Sequence, residues 1–130
     1  MNKRTEKYYK GLYLVSALYD FILGVSFVFF YEFIFRILGM NVPQNPAYLT
    51  FSAVMIMLFG VLLFMIYLDP KTSRKLIIYS ILVKFAYIGT VLYYYFIVGP
   101  NYVDAPFLIF VVFDFVFALL FIESLRKIKK

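Results

Sequence analysis

The sequence predicts an all-α membrane protein, an up-down bundle of four transmembrane helices with N- and C-termini cytoplasmic. Three observations predict it. Hydrophobic residues make up 65% of the chain and charged ones only 15%, whereas soluble domains sit near half apolar and a quarter charged. Four apolar runs are long enough to cross a hydrocarbon core, which takes about 20 helical residues. The basic residues gather at alternate connections, so the spans thread the bilayer without conflict.

The first run covers about Leu12–Phe35. Lys3, Arg4, Lys7 and Lys10 precede it, and its length and lack of a small-residue cleavage site make it a retained helix rather than a signal peptide. "GMNVPQNPAY" follows, where Gly39, Pro43 and Pro46 break the helix into a short outer loop. The second run, about Tyr48–Leu68, has no ionisable residue and contains Met55, Met57 and Met65, which suit irregular packing or lipid contact. Asp69-Pro70 then bars helical continuation. Thr72 or Ser73 is expected to cap the third helix, over about Leu76–Val98. Gly99-Pro100 ends that helix, and Pro106 suits the first turn of the fourth, about Phe107–Leu125. Connections this short make neighbours antiparallel, giving one membrane domain over residues 1–130. Gly24, Gly60 and Gly89 lie near mid-span, where small residues let helices approach closely. Most tyrosines near span ends fit an interfacial aromatic belt, but Tyr19 and Tyr87 lie deeper.

Lys71, Arg74 and Lys75 lie between the second and third runs, and Arg126, Lys127, Lys129 and Lys130 follow the fourth. The other two connections carry no Lys or Arg, which orients both termini inward. Anionic lipid headgroups explain the net charge of +6, and no nucleic acid partner is expected. Cysteine and histidine are absent, which excludes disulfides, thiol redox chemistry, Cys/His zinc sites and histidine-ligated haem. No phosphate loop, dinucleotide glycine pattern or catalytic triad appears, so no metal, no cofactor and no catalytic residue is expected.

Three ionisable residues from three different runs lie deep within them. Counted from the flanking cations at 1.5 Å per residue, Lys84 lies about 14 Å deep, Asp20 about 15 Å and Asp114 about 18 Å. Left unpaired near a bilayer centre, each would cost about 2.5–3.5 kcal/mol. Lys84 is therefore expected to face the interior and bridge to Asp114, Asp20 or both. Ser16 and Tyr13 precede Asp20 by one and two turns, and Ser80 and Tyr87 flank Lys84 at helical spacing, where they supply further hydrogen bonds. Glu32 and Arg36 are spaced to pair at the outer end of the first helix, as Glu6 and Lys10, and Glu123 and Lys127, are at inner ends.

The arrangement resembles small DoxX-like four-helix integral membrane proteins of bacteria and archaea. "ALYDFILGVSFVF", "GMNVP", "DPKTSRKLIIYSILVKF" and "VVFDFVFALLFIESL" carry the resemblance, which implies a four-helix membrane fold. Helix count and buried acids also give a likeness to sterol-isomerase-like (EXPERA) membrane proteins. Three functions follow as expectations. The first is a non-enzymatic accessory or self-associating bundle in the cell membrane, with lipid, a membrane-protein partner or further copies as its company. The second is a proton- or ligand-coupled carrier or channel working as a homo-oligomer. The third is a lipid- or sterol-binding isomerase-like protein using Asp20 or Asp114 as general acid–base.

Overall fold

The structure is a computed structural model that describes residues 3–127. Lys129 and Lys130, counted above among the cytoplasmic charges, lie outside the described residues. Four long helices carry the chain: α1 (Lys3–Ile37), α2 (Ala47–Leu68), α3 (Arg74–Tyr93) and α4 (Ala105–Lys127). No strand occurs among the described residues. All four helices are long and apolar enough to cross a membrane. The chain divides into two compact units, one ending at Asp69 and the other beginning at Pro70. Each is a helical hairpin.

In the first unit, α1 begins nine residues before the apolar run does. Its opening turns are rich in Lys, Arg and Glu, which are good helix formers, and Glu6 lies near the positive end of the dipole. Tyr9, Tyr13, Ser16, Ala17, Asp20, Gly24 and Phe27 are buried. Their spacing of three and four residues places them on one face. Phe30 leaves helical geometry (φ −129°, ψ 26°), a kink with no proline to explain it. On either side of the kink, buried Phe27 and Phe35 pack edge-on with ring centroids 6.0 Å apart.

The end of α1 follows from Gly39. It takes φ +75°, a left-handed conformation that costs glycine little. The Met40 N–H then donates to the Phe35 carbonyl at 2.8 Å, and the Gly39 N–H to that of Arg36 at 3.2 Å. These two bonds form a Schellman stop.

Two glycines set the α1–α2 crossing. A methyl group added at Gly24 would stand 2.6 Å from the Ala53 carbonyl oxygen and from the Met57 nitrogen on α2. One added at Gly60 would stand 2.8 Å from the Phe21 nitrogen and 2.9 Å from the Ala17 oxygen on α1. Each glycine is the notch into which the other helix's backbone fits. Gly89 plays no such part: a methyl group there meets nothing within 4 Å.

In the second unit, α3 buries Ile77, Ser80, Lys84, Ile88 and Val91, again along one stripe. Facing it, α4 buries Val111, Ala118, Phe121 and Ser124. Ser73 occupies the N-cap position of α3, but its side chain does not supply the expected cap. Instead the Ser73 carbonyl receives the Ile77 N–H at 2.9 Å, as the backbone of any first turn does. The far end of the third span loosens to a π-helical turn over Tyr94–Val98, closed by the Gly99 N–H on the Tyr94 carbonyl at 2.8 Å. Gly99 leaves that turn at φ +153°, a backbone that side chains disfavour. Pro106 sits in the first turn of α4, where its missing N–H costs no helical bond.

Candidate buried polar site

The stripe on α3 carries Lys84 toward α4 because its neighbours on that face, Ser80 and Ile88, lie four residues away on either side. On α4, Asp114 falls between Val111 and Ala118 on the buried side. The Lys84 Nζ donates to Asp114 Oδ1 at 3.0 Å. The two side chains are 2% and 13% exposed. At that separation and burial the pair is a charge-assisted hydrogen bond. Phe117 lies one turn beyond Asp114, and its ring centroid stands 5.3 Å from the same Nζ. The ammonium is thus met by a carboxylate and by the face of an aromatic ring. The carboxylate dominates, since a unit charge at hydrogen-bond range attracts more strongly than a ring quadrupole.

Ser80 and Tyr87 direct their hydrogen bonds elsewhere than to the ion pair. Ser80 Oγ donates to its own helix at the Leu76 carbonyl, 2.9 Å away. The Tyr87 hydroxyl donates to the Phe107 carbonyl at 3.1 Å, a second tie between α3 and α4. A third comes from Arg74, whose Nη1 donates to the Leu125 carbonyl at 3.0 Å near the end of α4. These three ties, at Arg74, Lys84 and Tyr87, pin the antiparallel register along the hairpin. Compared with known proteins, the chain matches no family model, no curated protein and no solved structure. Its own chemistry has to carry the functional reading.

Asp20 belongs to the first unit. It is 4% exposed and shares its face of α1 with Tyr13 and Ser16, which are fully buried. The Ser16 hydroxyl finds no hydrogen-bond partner among the described residues. An unsatisfied buried hydroxyl is costly, so Ser16, one turn before Asp20, keeps its donor and acceptor capacity in reserve. Among the described residues, no group of three or more His, Cys, Asp and Glu is placed to hold a metal ion.

Of the outer charges, Arg36 Nη2 meets Glu32 Oε2 at 3.2 Å on an exposed surface. Lys10 lies over the Tyr67 ring, 5.4 Å from its centroid. Sequence reasoning missed Phe117 and the Arg74–Leu125 bond. The first had a readable signal: an aromatic residue three positions after a buried acid shares that acid's face. The second had none, because a carbonyl acceptor leaves no mark in a sequence.

Proposed function

We propose that the chain is a multi-pass protein of the cell membrane, DoxX-like in type, that crosses four times with both termini cytoplasmic. Its role is that of a non-enzymatic accessory or self-associating helical bundle. The supporting observation is the inverted placement of polarity. Lys84 and Asp114 turn inward onto each other, while Phe29, Phe33, Phe51, Leu82 and Phe96 are exposed, Phe96 at 71%. Water would reject so large an apolar surface, and hydrocarbon would reject unpaired charges. Lipid around the helices resolves both. In this reading the ion pair is a clasp that fixes which faces of α3 and α4 meet.

Topology is directly testable because the chain lacks cysteine. Single cysteines at Gln44 and Asn101 should react with an impermeant maleimide from outside intact cells, and one at Lys71 only after lysis. Labelling of Lys71→Cys in intact cells would overturn the orientation. Recovery of fixed partners or of a homo-oligomer from native membranes tests the role. A monomer that turns over a substrate would refute it.

A second reading draws on Asp20 and Ser16. A buried acid beside an unsatisfied hydroxyl suits a proton- or ligand-coupled carrier assembled from several copies. Asp20→Asn should then abolish a flux in proteoliposomes while leaving the fold intact. Unchanged flux, or none in the parent chain, removes this reading.

A further inference from the structure

The α3–α4 hairpin gathers its exposed cations at one end. Lys71 lies in the short turn just before α3, Arg74 and Lys75 open α3, and Arg126 and Lys127 close α4. All five are exposed. The Arg74–Leu125 bond of 3.0 Å joins the two helix ends, so cations distant in sequence share one surface. Two acids adjoin them in the chain, Asp69 two residues before Lys71 and Glu123 three before Arg126. Arg74 has a structural task there, since a cation offsets the negative end of the α4 dipole. Lys75, Arg126 and Lys127 exceed what that task requires.

We propose that this end of the hairpin binds the phosphate headgroup of an anionic phospholipid. The inference rests on the membrane reading above and adds a specific ligand to it. Several Lys and Arg residues immediately beyond a span attract anionic headgroups. Here two helix ends present them together, on a surface already ordered by the hydrogen bond from the Arg74 side chain to the Leu125 carbonyl. The apolar flanks of α3 and α4, with Ile78 and Leu119 exposed, suit the acyl chains of the same lipid.

The test uses the full chain in vesicles of phosphatidylcholine with or without phosphatidylglycerol. Flotation reports insertion, and mass spectrometry reports the lipids retained on purification. The parent chain should retain phosphatidylglycerol over phosphatidylcholine by on the order of tenfold. Lys71→Gln/Lys75→Gln/Lys127→Gln, which spares Arg74, should lose that preference. Lys3→Gln/Arg4→Gln/Lys7→Gln should keep it.

Equal retention of both lipids by an inserted parent chain would overturn the proposal. So would a preference that survives the α3–α4 substitutions or falls equally with the N-terminal ones. Displacement of the lipid by millimolar inorganic phosphate would assign the surface to a free anion instead. A chain that does not float would defeat the membrane reading itself, and the lipid proposal with it.

Discussion

The two hairpins are held together by different means. Between α1 and α2 the contact is backbone against backbone, with Gly24 seated on Ala53 and Met57, and Gly60 on Ala17 and Phe21. Between α3 and α4 polar side chains do the joining, through Lys84–Asp114, Tyr87–Phe107 and Arg74–Leu125. Helices in lipid gain nothing from hiding apolar surface from water, so they associate through close packing or through polar pairing. On the membrane reading proposed above, the glycine notches mark the first unit and the side-chain ties the second. Close packing needs every small residue in place but leaves no charge exposed to hydrocarbon. Polar pairing tolerates a looser fit but fails badly when one partner is lost.

That contrast is open to attack at several points. Asp114→Asn carries the largest expected effect. It leaves Lys84 buried without its carboxylate and should destabilise the chain by about 3–5 kcal/mol, measured by unfolding in mixed micelles. A loss below about 1 kcal/mol would mean the pair is not holding the hairpin. Next come Gly24→Ala and Gly60→Ala, each of which drives a methyl group into opposing backbone. A net cost of about 1–3 kcal/mol is expected. Gly89→Ala is the control and should be neutral, or stabilising by up to about 1 kcal/mol through helix propensity. If all three glycines respond alike, the notches do not explain the first hairpin.

Smaller effects sharpen the picture. Tyr87→Phe removes one interhelical hydrogen bond and should cost about 0.6 kcal/mol, the usual size for such bonds between membrane helices. Glu32→Gln breaks an exposed pair and should shift stability by no more than about 0.5 kcal/mol. A larger response from Glu32 than from Tyr87 would reverse the assignment of which contacts matter.

The helices were legible because composition and punctuation act locally. Prolines 43, 46, 100 and 106 and glycines 39 and 99 bound the spans wherever the tertiary contacts fall. The extra turns of α1 before Leu12 were not, because a hydropathy reading follows lipid-crossing residues and Lys3–Gly11 form helix without being apolar. The kink at Phe30 and the π-helical turn after Tyr93 also escaped, since no proline or mid-helix glycine marks either. Lys84 and Asp114 stood out as charges in apolar runs, but counting residues put Asp20 as near to Lys84 in depth as Asp114 and did not choose between the two acids. Ser80 did not turn to Lys84, because a serine within a helix has its own carbonyl four residues back as a nearer acceptor. Gly24, Gly60 and Gly89 look alike in sequence, and only the opposing backbone distinguishes them.

A double-mutant cycle on Lys84→Met and Asp114→Leu, read by unfolding of the full chain in mixed micelles, reaches most directly the interaction that joins α3 to α4. Each single change should cost several times more than Tyr87→Phe. The double variant should recover much of that loss, with a coupling of at least about 1 kcal/mol. Strictly additive costs would show that the lysine and the aspartate act independently, and the polar clasp would have to be abandoned.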